Sequence, residues 1–542
     1  MTAGATESAG PAAPPRPESP AMTHRQIMIV MSTLMLSMLL AALGQNGVAT
    51  ALPTIAGKLG GLQQLSWVVT AYLLAMTAAT PLYGKLSDLR GPKPMLLFAI
   101  ATFVAGSMLA GLSQDMGELI AARAVQGVGA GGVIAMGFTM VGHVVPPRET
   151  GRYHGYNGIT WSLATVAGPL VGGFLTQHAS WRWIFYINVP VGLVAFAATV
   201  ILLKLPARRR FHKVDYTGAA LIVASASCLL LVTVWGGQQY PWRSAVIIGL
   251  AVAGVALAAA FVMRERYAAE PILARSLFRN PVVSVALAAI FLVGLAMFAA
   301  GVFLPMYLQV VKAIPPASAG LFLLPMWIAV TAASFITGWV IARTGRYKAI
   351  IILGTALITL SMYLLSRLDA GTPDWVIFGD EALMGCGLGS VISKLIMAIQ
   401  NVVDRKDLGA AISATQFFRE LGGAFGTAIF GAVLAARLDY WRPRLLSAQA
   451  LARVPHGTGT SLYKDPQSIR GLQATAPALY HGLIEMLVRS LHVVYLTAIP
   501  LAAAALVLTW LLPRPRLQNR EAWHARSQDN AARPGRQPGD GS

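Results

Sequence analysis

The residues of this chain best suited to chemistry are charged side chains inside long apolar segments. Arg123 lies about one turn into such a segment, and Glu420 lies about twelve residues into another. Asp380, Glu381 and Lys394 fall at or inside a third segment. A charge within a bilayer is costly, and charges placed there usually mark a substrate or ion pathway. The sequence therefore predicts that these side chains serve such a pathway.

Glu420 is the first candidate for a group that binds and releases a proton. Its position near the middle of its segment predicts desolvation, which favours the protonated form of a carboxyl group. Arg419 would oppose this effect if the two paired, although neighbours on a helix point in different directions. His154, at the start of another segment, can relay protons; the simpler interpretation is an interfacial histidine.

Asp380 and Glu381 are the second candidates. A helix that begins at Trp375 would bury both carboxyl groups, whereas one that begins at Ala382 would leave them at the external interface and make Lys394 the deep charge. In either case we expect an intramembrane charge in this segment.

Fourteen apolar segments must position these groups, and each is long enough to cross a hydrocarbon core about 30 Å thick. They are Gln26–Ala49, Ser66–Tyr83, Pro94–Leu112, Leu119–Val141, His154–Gln177, Trp183–Leu203, Tyr216–Trp235, Ala245–Met263, Pro281–Leu304, Ala319–Ala342, Tyr347–Ser366, Trp375–Ile399, Leu408–Ala436 and Leu491–Leu512. The chain is thus predicted to be an all-α, polytopic membrane protein.

Composition agrees, with 56% hydrophobic and 12% charged residues and a mean hydropathy of +0.61. The net charge of +20 does not predict nucleic acid as a partner, because the basic residues are dispersed over short loops. They are enriched on alternate connections, which the positive-inside rule places in the cytoplasm, together with both termini. Cys228 and Cys386 fall inside apolar segments, so no disulfide framework is expected.

The segments divide the chain into two sets of six helices with a pair inserted between them. The expected divisions are a disordered cytoplasmic tail at 1–23, an N-terminal bundle at 24–205, a basic linker and helix pair at 206–266, a C-terminal bundle at 267–513 with a long external loop at 437–490, and a disordered tail at 514–542. Similar sequences at Gly84–Lys93 and Gly338–Lys348 indicate internal repetition, which is typical of secondary transporters.

The sequence contains no phosphate loop and no metal-binding or nucleophile motif with a supporting context. We therefore expect neither an enzyme nor a cofactor or metal site. Any work must draw on an ion gradient or on the gradient of the substrate.

Four local sequences carry further information. The first, Gly84–Lys93, here called the latch segment, holds a carboxylate and several cations that can contact helix ends of the opposite half; its candidate residues are Gly84, Asp88, Arg90, Gly91 and Lys93. In the second, Gln126 follows Arg123 on the same helical face. The third has glycines suited to close packing and a helix-bending proline; it comprises Gly168, Pro169, Gly172 and Gly173. The fourth, 180–192, is an interfacial aromatic belt.

Together with 415–426, these sequences resemble the major facilitator superfamily, and more closely its fourteen-helix drug:proton antiporter branch, over about residues 24–515. The resemblance implies that the latch segment holds the two halves in one conformation, with Asp88 as its acid. It also implies that Arg123 faces a central cavity and takes part in proton coupling. The glycine cluster at 168–173 would seal the interface between halves, as in exporters.

Two departures from the family pattern stand out. Gly44 occupies the place where this branch usually has an acid in its first span, so another group must titrate if protons drive transport. Pro92 replaces the usual arginine after Gly91, while Arg90 lies two residues earlier. The pairing within the latch segment is therefore left open.

A drug cavity needs apolar walls and a few polar groups. Its candidate residues are Asn46, Gln126, Trp161, Lys394, Phe417 and Arg419. We expect a monomeric, proton-coupled exporter of amphipathic drugs or antibiotics in a bacterial plasma membrane, since arginine outnumbers lysine as in GC-rich genomes. The alternatives are a dedicated exporter of a metabolite, siderophore or lipid, toward which the missing acid and Lys394 lean, and a transport-inactive sensor or scaffold.

Overall fold

The computed structural model describes residues 24–48, 51–60, 64–145, 147–203, 215–237, 239–268, 271–273, 275–446 and 466–513. The two expected tails and nearly all of the basic linker lie outside these ranges. Within them the chain folds almost entirely into helices.

The N-terminal half comprises eight helices. They are α1 (His24–Asn46), α2 (Leu52–Leu59), α3 (Leu65–Arg90), α4 (Pro92–Leu112), α5 (Met116–Val144), α6 (Pro147–His178), α7 (Trp183–Tyr186) and α8 (Asn188–Leu202). The inserted pair is α9 (Tyr216–Trp235) and α10 (Ala245–Glu265).

The C-terminal half follows. It contains α11 (Arg275–Arg279), α12 (Pro281–Val310), α13 (Pro316–Phe322), α14 (Leu324–Thr344), α15 (Lys348–Leu365), α16 (Asp374–Val402), α17 (Leu408–Leu445), α18 (Pro466–Thr475) and α19 (Pro477–Leu511). Within the described ranges, 14 helical segments are long and apolar enough to cross a membrane, which confirms the predicted number.

The two halves repeat one packing pattern. In the N-terminal half α5 packs against α3 and α4, and in the C-terminal half α16 packs against α14 and α15. Likewise α6 packs against α1, as α17 packs against α12. The inserted pair lies outside this repeat: α9 packs against α10 and also contacts both α3 and α17.

Two seams join the halves, one between α6 and α14 and the other between α3 and α17. Each has a glycine at its closest approach. A Cβ atom on Gly84 would lie 2.5 Å from Ser413 Cβ, and one on Gly338 would lie 2.6 Å from the backbone nitrogen of Arg152. Because no side chain fits, the backbones touch, and both contacts lie at the end of the molecule that carries the latch segment. This end is called the latch side below.

In the expected long external loop at 437–490, the residues that the structure describes are nearly all helical. Helix α17 continues to Leu445 and α19 begins at Pro477, with α18 just before it; residues 447–465 are outside the described ranges. The two extensions support each other, because the Arg489 guanidinium lies 4.9 Å from the ring centre of Trp441. Polar residues here ended the hydropathy pattern without ending the helices.

Candidate functional site

A cavity of about 290 Å³ lies between the two halves, deeper in the molecule than the close packing of the latch side. Helices of both halves contribute to its wall. It is lined by Gln45, Asn46, Phe138, His154, Asn157, Gly158, Trp161, Thr165, Met297, Phe298, Gly301, Val302, Leu323, Met326, Trp327, Val330, Ser334, Leu388, Gly389, Ile392, Ser393, Arg419 and Glu420. A mostly apolar wall with a few polar groups suits an amphipathic ligand.

Two aromatic pairs cross the seam between α6 and α14. The rings of Trp161 and Trp327 are stacked, with centroids 6.1 Å apart and an interplanar angle of 12°, and both side chains line the cavity. Toward the latch side, Tyr156 meets Phe335 edge to face at 4.8 Å. The tryptophans therefore offer flat apolar faces to a ligand, while the second pair closes the seam beneath them.

Arg419 and Glu420 line the cavity as an ion pair. Arg419 Nη2 lies 2.6 Å from Glu420 Oε1, with side-chain exposures of 9% and 16%. Of the two possibilities left open by the sequence, pairing is the one observed, because the long arginine side chain folds back to the next residue. Glu420 is thus a carboxyl group at the cavity wall whose charge is compensated.

At the end of the cavity nearest the latch side lie His154 and Asn157 on α6. The His154 ring stacks on Phe138 at 5.3 Å, and its Nδ1 lies 3.4 Å from Asn157 Nδ2. His154 is only 4% exposed, and its Nε2 has no hydrogen-bond partner. This polar end was predicted only in part: His154 was a candidate, whereas Asn157 was not.

Lys394 is fully buried just behind this end of the cavity. Its Nζ donates to Ser334 O at 3.1 Å, to Gly389 O at 3.0 Å and to Ser393 Oγ at 2.9 Å. These three residues line the cavity, but Lys394 itself does not. Its expected place in the wall is thus corrected: the lysine acts on the cavity through the residues that cover it. The serines gave little indication of this site in the sequence, because most serines in apolar helices hydrogen-bond only to the backbone of their own helix.

The latch segment joins the two halves through the first turn of α17. The Asp88 carboxylate accepts hydrogen bonds from Gly409 N at 2.7 Å and Ala410 N at 2.8 Å. An acid is favourable at a helix N-terminus, where free N–H groups and the helix dipole meet it. Lys93 donates instead to Val200 O of α8 at 2.9 Å, and Arg90 is exposed.

Gly91 and Pro92 explain the unusual end of the latch segment. Gly91 has φ +92°, a value that favours glycine, and connects α3 directly to α4. Pro92 is the first residue of α4, where its fixed φ suits a helix start.

Comparison with known proteins identifies the family. The model of the Major Facilitator Superfamily matches residues 34–219 and 216–427. The chain belongs to this superfamily.

Its relatives are transporters of bacteria and fungi. The chain is 39% identical over 93% of its length to an uncharacterised MFS-type transporter of Mycobacterium tuberculosis, covering 73% of that protein. It is 32% identical over 93% of its length to the multidrug transporter protein MdtP of Bacillus subtilis, covering 96% of that protein. The proton:xylose symporter XylE shares the fold, with a TM-score of 0.59, 13% identity, and coverage of 92% and 99% of the two chains. The protein is thus a multi-pass transporter of the superfamily and not an enzyme.

Arg123, which the superfamily resemblance placed in the cavity, is instead enclosed within the N-terminal half at 0% exposure. Its Nε donates to Val68 O at 3.0 Å, and its Nη1 donates to Gly44 O at 3.1 Å and to Gln126 Oε1 at 2.5 Å. The guanidinium also lies 4.1 Å from the ring centre of Tyr72. Arg123 and Gln126 therefore tie α1, α3 and α5 together, and neither lines the cavity in this conformation.

Gly44 is where the superfamily branch usually has an acid, and it has no room for one. A Cβ atom there would lie 2.8 Å from Phe103 Cζ and 3.4 Å from Gln126 Nε2. The Arg123 guanidinium therefore donates to the backbone carbonyl of Gly44, in place of the acidic side chain that this branch usually has at this position.

Asp380 and Glu381 lie inside α16, which begins at Asp374, so the deeper of the two predicted boundaries is observed. They are 4% and 1% exposed, and Asp380 Oδ2 and both Glu381 carboxyl oxygens have no hydrogen-bond partner. Neither residue lines the cavity. Lys394 is buried in the same helix, so this segment holds a deep lysine as well as the two buried carboxyl groups.

Other expected site residues lie apart from the cavity. Phe417 is buried in α17 outside the cavity lining. A Cβ atom on Gly168 would meet Asn46 at 2.9 Å, so this glycine packs against α1 of its own half rather than against the opposite half. Gly173 has open space beside it, and the Gly172 carbonyl accepts a hydrogen bond from Thr176. Pro169 lies in α6 next to Gly168.

Proposed function

We propose that the protein exports hydrophobic drugs or antibiotics across a plasma membrane, driven by proton antiport and working by alternating access. The cavity between the halves carries this proposal. It combines stacked tryptophans with a charged pair, and close packing covers it on the latch side. Two relatives of about 32% identity that are named for multidrug transport or resistance support the choice of substrate.

In this mechanism Glu420 binds the transported proton. A proton on Glu420 neutralises the carboxylate and releases Arg419, so protonation changes the charge of the cavity wall. Release of the proton restores the pair, which has a separation of 2.6 Å here. Substrate and proton thereby compete for one cavity, which links their movements in opposite directions. Asp380 and Glu381 are the second proposed proton site, His154 is a proposed relay, and Arg123 holds α1, α3 and α5 of the N-terminal half together.

The latch segment stabilises the conformation that is closed on its side. Asp88 supplies a charge to the first turn of α17, and opening of this side must break both of its hydrogen bonds. The glycine cluster at 168–173 is proposed to act at the opposite side, where Gly173 has space for a neighbouring helix to approach.

The distribution of basic residues supports a cytoplasmic latch side and cytoplasmic termini. A bacterial plasma membrane fits the relatives from Mycobacterium and Bacillus, although similar fungal proteins exist as well. We propose that the protein works as a monomer, because its cavity is formed by two halves of one chain.

The substitution Glu420→Gln tests the coupling. It keeps the size of the side chain but removes the titrating group, so proton-driven dye efflux from everted vesicles should fall to the level of vesicles without the protein. The control is Glu485→Gln, which removes an exposed carboxylate far from the cavity and should retain efflux. Full efflux by Glu420→Gln would exclude this residue from coupling.

A further inference from the structure

The polar groups of the cavity are distributed unevenly. Its latch-side end is formed by His154 and Asn157 of α6 and Ser393 of α16, with Lys394 directly behind. The tryptophan pair and the Arg419–Glu420 pair line the remainder. This arrangement bears on the charge of the substrate.

Lys394 places a buried amine without an anionic partner at the latch-side end. Its three hydrogen bonds go to two backbone carbonyls and one hydroxyl group, all neutral. No carboxylate of the described residues forms a salt bridge with it. A buried cation without an anionic partner is expensive, and a nearby anion offsets that cost.

The Lys394 amine lies at the seam between the halves, directly behind residues that line the cavity. A Cβ atom on Gly151 of α6 would be 4.0 Å from Lys394 Nζ, and His154 lies one turn further along the same helix. His154 Nε2 is buried at the cavity and has no partner. The Ser393 hydroxyl accepts from Lys394 and makes only a long hydrogen bond of 3.3 Å to Gly389 O. The His154 ring and the Ser393 hydroxyl can therefore donate hydrogen bonds to an anion in the cavity.

The cavity is less suited to a cation. Glu420 is the carboxylate among its described lining residues, and Arg419 already pairs with it. A cationic ligand would have to displace Arg419, whereas an anionic ligand finds the unpartnered Nε2 of His154.

We propose that the preferred substrate is an aromatic acid. Its carboxylate binds at His154, Asn157 and Ser393 in the field of Lys394, and its ring lies against Trp161 and Trp327. This inference builds on the proposed export function and narrows its substrate class.

The test uses 7-methoxycoumarin-4-acetic acid and its methyl ester, which share one uncharged aromatic system and differ in whether the carboxyl group is free. Binding to the purified protein is measured by fluorescence anisotropy. A charge-assisted interaction predicts roughly tenfold tighter binding of the acid. In Lys394→Met the ratio of the affinities for acid and ester should fall toward one. The cause should be weaker binding of the acid, while the affinity for the ester is retained. His154→Gln is a second variant that should reduce the preference.

Lys58→Met is the control, because this lysine is exposed on α2, and it should keep the preference. Equal or tighter binding of the ester, no binding of the acid, or an unchanged ratio in Lys394→Met would overturn the proposal. Dye efflux from vesicles separates it from the export function. If the protein prefers the acid but exports no dye, the export function is wrong and the substrate class stands. If it exports dye but prefers the ester, the aromatic-acid proposal is wrong and the export function stands.

Discussion

Gly44 and Phe103 form a matched pair at the residue scale. The fully buried ring of Phe103 occupies the space that a side chain at position 44 would need. The nearby Arg123 guanidinium is satisfied by carbonyl groups and Gln126 instead. The loss of an acid is therefore built into the local packing.

Restoring the acid should consequently need two changes. Gly44→Asp alone should lower the free energy of unfolding by about 1–3 kcal/mol, because overpacking strains a close-packed core. In a Phe103→Ala background Gly44→Asp should cost less, since the carboxylate then has room beside Arg123. Thermal unfolding of the two single variants and the double variant measures both costs, with Phe103→Ala as the reference for the second. An equal or larger cost of Gly44→Asp in the Phe103→Ala background would contradict this view.

The sequence indicated which residues in apolar segments carry charge, but it could not give their partners. Arg123 was expected in the cavity and instead joins helices inside the N-terminal half, and the sequence left open whether Arg419 pairs with Glu420, as it does. A long arginine side chain can reach several neighbours, so its direction depends on the cavities and carbonyl groups that packing creates. Spacing along one helix does not contain that information.

At the scale of helices, the two seams are closed by backbone contact. Gly338 of α14 faces the start of α6, as Gly84 of α3 faces the start of α17. The acid of the latch segment has no repeat, because Ala342 occupies the corresponding place in the second sequence. The seam between α3 and α17 therefore combines close backbone packing with a charged contact.

Gly338→Val should prevent close approach of α6 and α14. The added side chain would meet the backbone around Arg152, which cannot move aside as a flexible side chain can. We expect dye efflux to be abolished while membrane insertion is preserved. Gly249→Val in α10 is the matched control, because a Cβ atom there meets nothing within 4 Å. Wild-type efflux by Gly338→Val would show that this contact is not needed.

Most helix positions could be predicted because bilayer thickness fixes the length of an apolar segment. The predicted and observed bounds of the inserted helices, for example, agree within a few residues. The exceptions are polar helix ends such as that of α17, which reaches Leu445. Hydropathy identifies the part of a helix that lies in the membrane and not the full length of the helix. It therefore could not predict extensions stabilised by contacts such as that of Trp441 with Arg489.

At the scale of the whole molecule, the conformation is closed on the latch side, with the cavity beyond it. Asp88 contributes to this state through a charge at a helix end, an interaction of about 0.3–1 kcal/mol. A contribution of that size shifts a two-state equilibrium severalfold without abolishing either state.

Access to the cavity can be measured at Gly301, which lines it and has open space around its Cα. In a background without native cysteines, Gly301→Cys should react with a membrane-impermeant maleimide added from the side opposite the latch segment. Adding Asp88→Asn should slow this reaction severalfold, because the latch-side closure is weakened. Faster labelling in the double variant would contradict the assigned role of Asp88.

Helix α9 rests on α3 of one half and on α17 of the other. When the halves rock, a helix that touches both can travel with only one of them and must slide along the other. The inserted pair therefore adds a sliding contact to the seam between α3 and α17, so the two seams need not separate at equal speed.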